Sequence, residues 1–174
     1  DTLSFELSLR GQRVLVNAGT STYEVSAERL RQRGTAAHNT VVVDGVDSSE
    51  VWSSFRVARR ARPLVVSWGR DGAALWLSAG HEGYRRLPGK VIHRRRWRLD
   101  PHGLVVEDVL EGRYTSAEAR FHVLRGSEFT WTVERASGRL AAATWHPRFG
   151  QSIACEVLSV TPAALVWTTR FRWE

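Results

Sequence analysis

The sequence is poor in several residue types, and each shortage narrows what the protein can be. It contains a single cysteine, Cys155, and no methionine. One cysteine excludes an intramolecular disulfide, so cysteine usage says nothing about the redox compartment. No run approaches the roughly 18 consecutive apolar residues that a membrane-spanning helix needs. No signal peptide is visible at the start of the chain.

The lack of an initiating methionine bears on completeness, because the chain begins at Asp1. We therefore expect a processed or excised piece of a longer product, with an upstream region that contributes to the function. The 174 residues, of which 43% are hydrophobic, still suffice for one domain with a sizeable core.

Lysine is nearly absent too, since Lys90 is the only one and arginine supplies almost all the positive charge behind the net charge of +7. The arginines concentrate in residues 56–62 and 85–98. A guanidinium group binds carboxylate, sulfate or phosphate through a planar fork of N–H donors. An anionic polymer is therefore a reasonable partner, although a genome that favours arginine codons explains the same bias.

Alternation of apolar and polar residues predicts β-strands along most of the chain. Residues 3–9 and 14–16 form a predicted hairpin around a tight turn at residues 10–12. Further strands are predicted at residues 40–43, 55–61, 64–68, 74–78, 90–99, 104–110, 121–124, 128–134, 140–145, 152–158 and 165–171. About twelve short strands with frequent turn signals predict an all-β fold, an antiparallel two-sheet β-sandwich of the supersandwich type. We expect one domain over residues 1–174.

Four tryptophans lie in strand-like contexts and are predicted to belong mostly to the core. They are Trp52, Trp68, Trp76 and Trp97. No Gly-rich phosphate loop and no nucleophile elbow is present in the sequence.

Residues 21–37 break the strand pattern and predict a long excursion with a short helical turn capped by Ser26. Long loops inside compact domains are usually functional or disordered. This one leads to His38 and Asn39, at the mouth of the apolar strand 41–43. Polar residues held by a rigid scaffold favour a binding site, while a lone histidine at a strand end also suits a buried hydrogen-bonding role.

Several segments carry a family resemblance, most strongly over residues 1–63. They are DTLSFEL, LVNAGTSTY, RQRGTAAHNTVVVDG, SSEVWSSFRVARRARP, GYRRLPG and HPRFG. Together they resemble the C-terminal β-sandwich region of heparinase II/III-like polysaccharide lyases, a group that includes alginate and oligoalginate lyases.

The resemblance implies that an α/α-toroid domain precedes the sandwich and that the active site lies between the two. Asp1 looks like the last residue of a His-x-His-x-Asp segment, whose histidines would lie just upstream. The catalytic tyrosine and the asparagine that neutralises the uronate carboxylate belong to the toroid in such proteins. The resemblance therefore implies no catalytic residue in this fragment and an inactive isolated chain.

The same resemblance implies a metal-binding role for His38 and Asn17. His38 looks like the zinc-binding histidine of the sandwich, and Asn17 stands where many members have a zinc-binding aspartate. Asn17 is a departure from that pattern, because zinc normally takes Cys, His or carboxylate ligands. No His/Cys cluster at ligand spacing accompanies it, so a closed zinc site built by this chain alone is not expected. The role of such a site would be structural, orienting the loop beneath the substrate.

Basic and aromatic residues of the excursion are candidates for substrate contact. Arg29, Arg31 and Arg33 are able to meet a uronate carboxylate, and Arg33 is preferred because it is nearest to His38 in the sequence. Tyr23 is a candidate for stacking on a sugar or donating a hydrogen bond. The alternatives are a solvated arginine face and a tyrosine packed on the sandwich.

A second rim of the cleft is expected at His81 and Arg85, with Tyr84 between them. Glu50 is a candidate carboxylate for orienting His38, or else a partner for a surface arginine. Each of these residues also fits an ordinary structural role, and the sequence leaves the choice open.

The resulting hypothesis is the C-terminal domain of a lyase that cleaves uronate-containing acidic glycans by β-elimination. A base removes the proton beside the uronate carboxylate, an acid protonates the leaving oxygen, and the carboxylate is neutralised. The alternatives are a non-catalytic module that binds anionic polysaccharide and a purely structural domain. Nucleic-acid binding is disfavoured, since no recognition motif is present. The resemblance implies a bacterial, periplasmic or secreted protein. It also implies that loops of the toroid domain determine whether heparan, alginate or another glycan is the substrate.

Overall fold

The alternating segments form fourteen β-strands in the computed structural model of the chain, which describes residues 2–174. The strands are β1 (Leu7–Leu9), β2 (Gln12–Val16), β3 (Val41–Val43), β4 (Val51–Trp52), β5 (Arg56–Val57), β6 (Ser67–Asp71), β7 (Ala74–His81), β8 (Ile92–Asp100), β9 (Gly103–Glu111), β10 (Ala117–Leu124), β11 (Thr130–Glu134), β12 (Ala136–Trp145), β13 (Ile153–Pro162) and β14 (Val166–Arg172). The helical segments are α1 (Ala27–Arg33) and two 3-10 turns, Thr35–Ala37 and Gly83–Arg86.

Two six-stranded antiparallel sheets contain nearly all of these strands. The first sheet has the order β1-β2-β10-β13-β12, with β3 also paired to β10, and the second has the order β11-β14-β9-β8-β7-β6. Strands β4 and β5 form a separate small hairpin. The predicted all-β, antiparallel two-sheet sandwich is confirmed.

The core lies between the two sheets, where their apolar faces meet. Phe121 of β10 contacts Phe171 of β14 with ring centroids 5.3 Å apart, and Trp167 of β14 is fully buried. The prediction that the four strand tryptophans are mostly core is wrong for two of them, which are exposed: Trp97 is 9% exposed, but Trp52 is 48% and Trp68 is 77% exposed. Alternation identifies the face on which a side chain lies, but not whether another layer covers that face.

The excursion after β2 packs on the outer face of the first sheet. Ser26 caps α1 as predicted, since its Oγ accepts a hydrogen bond from the backbone N–H of Arg29 at 3.1 Å. At its start, Gly19 has a φ of +75° and forms a bridge to His146. A Cβ at Gly19 would overlap the His146 carbonyl, so the close approach of the two segments requires glycine.

No helix within residues 2–174 is long and apolar enough to span a membrane.

Candidate functional site

An open pocket of about 420 Å³ lies on the outer face of the first sheet, beneath the excursion. Its lining residues are Arg31, Ala36 and Ala37 from the excursion and Arg120, His122, Ala142, Ala143, Thr144 and Val157 from β10, β12 and β13. Arg120 and His122 alternate along β10 with Phe121, which faces the core. The pocket thus combines two guanidinium groups and an imidazole with an otherwise mostly apolar surface.

Arg31 is held at the pocket by Glu28, one helical turn earlier. The Nε of Arg31 donates to Glu28 Oε2 at 2.8 Å and its Nη2 donates to Oε1 at 2.6 Å. These hydrogen bonds from Arg31, helped by a further one from Gln32, lower the pKa of Glu28 to about 2. The carboxylate therefore stays ionised and fixes the guanidinium plane at neutral pH.

The neighbouring arginines of α1 point elsewhere. Arg29 is buried, with its guanidinium carbon 5.1 Å from the ring centroid of Tyr23 and 5.6 Å from that of Phe55. Arg33, the preferred residue from the sequence, donates to the carbonyl oxygen of Ser53 in the β4–β5 hairpin at 2.6 Å. Residues two apart on a helix lie on nearly opposite faces, so only Arg31 of the three lines the pocket.

Tyr23 forms an exposed aromatic surface with two residues that are distant in sequence. Its ring stacks on Phe149 at 5.4 Å and 11° between planes, and on Phe55 at 6.4 Å and 19°. Tyr23 itself is 55% exposed, and both phenylalanines are exposed as well. The three rings therefore form a partly exposed aromatic cluster at the excursion.

Asn39 connects the pocket to the core. Its side-chain Nδ2 donates to the carbonyl oxygens of Phe5 at 2.8 Å and Val16 at 3.0 Å. Its Oδ1 accepts from the backbone N–H of His122 at 2.7 Å and lies 3.1 Å from His122 Nδ1. Its carbonyl oxygen accepts from Arg95 Nη1 at 2.6 Å.

Arg95 belongs to a fully buried polar chain in the second sheet. Its Nε and Nη2 donate to the two oxygens of Asp108 at 2.7 and 3.0 Å. Burial by itself raises the pKa of Asp108, but the Arg95 charge and the hydrogen bonds from His93 and Arg95 leave the net pKa below its usual range. His93 Nε2 lies 2.7 Å from Asp108 Oδ1, and His93 Nδ1 lies 3.2 Å from His81 Nε2.

His81 ends this chain and is fully buried, which argues against the substrate contact expected from the sequence. Its Nδ1 accepts from the backbone N–H of Gly83 at 3.1 Å, so its Nε2 carries the hydrogen and donates to His93. Burial lowers the pKa of His81 to about 2. Both ring nitrogens are engaged within the protein.

The other residues of the predicted second rim take separate positions. Tyr84 is buried, and its hydroxyl donates to the carbonyl oxygen of Val41 at 2.7 Å. Arg85 is mostly exposed and pairs with Glu82 at 3.1 Å. Glu50 pairs with Arg59 at 3.4 Å, in agreement with the surface-arginine alternative.

His38 and Asn17 lie in the same region, but the described residues do not form a zinc site by themselves. Asn17 Oδ1 accepts from Ser4 Oγ at 2.6 Å and from the backbone N–H of Asn39 at 3.4 Å. His38 is partly buried, and burial lowers its pKa to about 3, so it is neutral. Within residues 2–174 no group of three or more His, Cys, Asp or Glu side chains is arranged to hold a metal. Asp1 lies outside the described residues.

Sequence reasoning missed Arg120 and His122. Both lie in the middle of a strand whose alternation is typical of a sandwich, and nothing in the local pattern distinguishes them. Only the pairing of β10 with β13, which sets His122 opposite Val157, and of β13 with β12 creates the pocket floor around them.

Comparisons with known proteins agree with the geometry of the fold. The model of the family described as "Heparinase II/III-like, C-terminal" matches residues 1–173. A solved structure of a heparinase III gene product is similar, with a TM-score of 0.73 at 15% identity, over 97% of this chain and 29% of that chain. A heparan sulfate lyase from Pedobacter heparinus gives a TM-score of 0.71 at 15% identity, over 97% of this chain and 30% of that chain.

These structural similarities show a shared fold. The chain spans less than a third of the length of either matched structure. No curated protein matches the sequence.

Proposed function

This chain belongs to the heparinase II/III-like C-terminal family, and from that premise we propose that it is the sandwich domain of a polysaccharide lyase. The proposed lyase cleaves a uronate-containing acidic glycan, of the glycosaminoglycan or alginate kind, by β-elimination. The observation that carries the proposal is the family match over residues 1–173. The basic pocket and the partly exposed aromatic cluster support a role of the chain as one wall of a glycan cleft.

The chemistry of the pocket suits an acidic glycan. Arg31 and Arg120 each keep N–H donors beyond those given to Glu28 and Glu118, and such donors bind carboxylate and sulfate groups. Tyr23, which is 55% exposed, remains a candidate for apolar contact with a sugar ring, and Arg85 remains a candidate contact at a more distant rim. Arg33 and His81 are not included, because their polar groups are engaged within the protein.

The proton transfers of β-elimination are assigned to residues outside this chain. The base that removes the proton beside the carboxylate and the acid that protonates the leaving oxygen would come from an upstream α/α-toroid domain of the same protein. The toroid would also neutralise the uronate carboxylate. In this proposal the sandwich binds and orients the glycan, and the isolated chain has no activity. From the family resemblance alone, we also propose a bacterial, periplasmic or secreted location.

No metal takes part in the proposed role of these residues. Asn17 Oδ1 already accepts two hydrogen bonds, and we propose that this network, rather than an ion, fixes the loop around His38. Elemental analysis of the longer protein tests this point. One equivalent of zinc per chain that is lost in an Asn17→Ala variant would contradict it.

The lyase proposal is tested with the longer protein that contains this chain. The protein would be incubated with heparan sulfate, heparin, alginate and other uronate polymers while the ultraviolet absorbance of the unsaturated product is followed. Turnover on one polymer supports the proposal and identifies the glycan. Turnover by the 174-residue chain alone, or by no form on any polymer, would contradict it.

A binding module without chemistry is the second candidate, favoured by the exposed arginine segments. Arg59 and Arg62 lie with Arg60 around a second open pocket of about 590 Å³. Binding of anionic polysaccharide that weakens steeply with salt, without any turnover by the longer protein, would support this function instead.

A further inference from the structure

The hydrogen bonds around Asn39 determine the protonation of His122. Asn39 Nδ2 faces two carbonyl oxygens, those of Phe5 and Val16, so this end of the amide must be the donor. Its Oδ1 therefore faces His122 and accepts from the ring Nδ1 at 3.1 Å. Burial lowers the pKa of His122 to about 4, so the ring is neutral at physiological pH. The hydrogen lies on Nδ1, and Nε2 carries a lone pair.

This lone pair is directed to the pocket. His122 is only 4% exposed and lines the pocket. Its Nε2 has no hydrogen-bond partner among residues 2–174. This atom is not completely buried, so a molecule in the pocket can reach it. A buried polar side chain normally satisfies its hydrogen-bonding capacity. His122 Nε2 is therefore an acceptor in a fixed position that a donor group of a bound ligand would satisfy.

The groups around this acceptor are cationic. Arg31 uses its Nε and Nη2 for Glu28 and leaves Nη1 without a protein partner among the described residues. Arg120 likewise gives Nη1 to Glu118 at 2.7 Å and retains Nη2. The small floor residues Ala142 and Ala143 leave room for a bulky group. A metal cation does not suit a site with one nitrogen ligand and two guanidinium groups.

We propose that this pocket is a subsite for a sugar unit that presents an O–H or N–H donor next to a sulfate or carboxylate group. The donor binds His122 Nε2, and the anionic group binds Arg31 and Arg120. An N-sulfated amino sugar has this pairing within one substituent, and a uronate has it through the hydroxyl groups of its ring. The inference rests on the proposed function, since it names the part of the glycan that this wall recognises.

The test uses variants that remove either the acceptor nitrogen of His122 or one of the two arginine charges. His122→Asn keeps a donor near the position of Nδ1 for Asn39 but removes the Nε2 acceptor. Arg31→Gln and Arg120→Gln each remove one pocket charge. Arg94→Gln is the matched control, because Arg94 is exposed on β8 of the other sheet and pairs with Glu111 at 2.7 Å.

Binding of three oligosaccharides to the 174-residue chain would be measured by calorimetry near physiological ionic strength, where distant charges are screened. The ligands are an N-sulfated heparan oligosaccharide, its N-acetylated counterpart and an alginate oligosaccharide. Each pocket arginine variant is expected to weaken binding of the preferred ligand about tenfold or more, because charge-assisted hydrogen bonds are lost. His122→Asn is expected to weaken it about tenfold and to abolish the discrimination between ligands. Arg94→Gln is expected to change affinity less than about threefold.

Several outcomes would overturn the subsite. They are wild-type affinity of His122→Asn, equal losses for the pocket and control arginines, and no binding of any of the three ligands by the folded chain. If His122→Asn lowers the melting temperature markedly, Ala143→Leu replaces it, since this change fills the pocket without altering a hydrogen bond of His122. Unchanged affinity of Ala143→Leu would also contradict the subsite. Failure of the lyase proposal is seen separately, as absent turnover by the longer protein.

Discussion

Asn39 is the residue on which the core and the pocket both depend. Its side chain hydrogen-bonds to two backbone carbonyl oxygens and to the His122 ring, and its own carbonyl oxygen accepts a hydrogen bond from Arg95 of the second sheet. All these groups are buried or nearly so. A buried donor or acceptor that loses its partner costs about 1–3 kcal/mol, so this residue stabilises the fold far more than its size indicates.

We predict that Asn39→Ala lowers the free energy of unfolding by about 3–5 kcal/mol, because several buried polar groups lose their partner at once. Urea denaturation measures the change. Asn17→Ala is the control, with an expected loss of about 1 kcal/mol, since Glu6 and Ser4 of its network reach solvent. A loss below 1 kcal/mol for Asn39→Ala would show that water replaces these hydrogen bonds.

A second residue-level prediction concerns the buried pair of Arg95 and Asp108. Asp108→Leu leaves the Arg95 charge without its carboxylate and is expected to cost about 3–5 kcal/mol. The double variant Arg95→Met/Asp108→Leu is expected to recover part of this loss, because no uncompensated charge remains. A double-mutant cycle in urea measures the coupling. Strictly additive losses would mean that the two side chains do not stabilise each other.

At the scale of residues, the sequence pointed to the neighbourhood of the candidate pocket but not to the side chains that line it. It singled out His38 and Asn39 at a strand mouth, and the pocket lies beside them. It preferred Arg33 by its distance along the chain, whereas helical rotation brings Arg31 to the pocket. His122 was not predictable, because its role depends on Asn39, a residue far away in the sequence.

Helix α1 is the element that places the pocket arginine. With 7 residues it is too short to be stable alone, and it relies on its cap and on tertiary contacts. Gln32 ties it to Ser21 through hydrogen bonds of 2.6 and 2.9 Å. The orientation of Arg31 therefore depends on how firmly the first turn is held.

We predict that Ser26→Ala destabilises the chain by about 1 kcal/mol through loss of the N-cap. The effect is expected to be local, with faster hydrogen exchange of the Arg29 amide than of amides in the central strands. Ser137→Ala, on exposed β12, is the control and is expected to change stability by less than about 0.5 kcal/mol. Unchanged protection of the Arg29 amide in Ser26→Ala would indicate that tertiary packing alone holds the turn.

The sequence predicted most of the strands and the helix cap. It did not predict the residues at which the strands begin and end, or whether another layer covers a strand face. The Ser26 cap and most strands are found, since periodicity and capping are local signals. The strand predicted at residues 64–68 is shifted along the chain, since β6 spans Ser67–Asp71. Residues 3–6 are not in a strand despite their alternation, since Leu3, Ser4 and Phe5 interact with Arg95 and Asn39 rather than with a neighbouring strand.

At the scale of the whole molecule, buried neutral histidines connect stability to pH. Burial is the largest cause that lowers the pKa of His81 to about 2, of His38 to about 3 and of His122 to about 4, and it also lowers the pKa of His93. In the unfolded chain these groups have a pKa near 6.5. Below that pH the unfolded state binds protons that the folded state does not, so the free energy of unfolding falls as the pH falls.

We predict a loss of about 4 kcal/mol for each pH unit well below 6 from His38, His81 and His122, since each contributes about 1.4 kcal/mol per unit, and His93 adds to this loss. The contribution of His122 levels off near pH 4, whereas those of His38 and His81 continue to about pH 3 and pH 2. The carboxylates with lowered pKa, Glu28, Asp108 and Glu134, lose their stabilising effect only below their ordinary values of 4.5, 3.8 and 4.5. The change in stability between pH 6.5 and 4.5 therefore reports the histidines and not these three acids.

Urea denaturation at pH 7.5, 6.0 and 5.0 measures this dependence, and a typical domain with 5–15 kcal/mol of stability would be largely unfolded near or somewhat below pH 5. His122→Asn is expected to remove about a quarter to a third of the slope, because one of the four histidines with lowered pKa is lost. His102→Gln, at an exposed turn, is the control and should leave the slope unchanged. A constant free energy of unfolding between pH 7.5 and 5.0 would mean that the folded chain takes up these protons without cost, which is incompatible with the buried chain from His81 to Asp108.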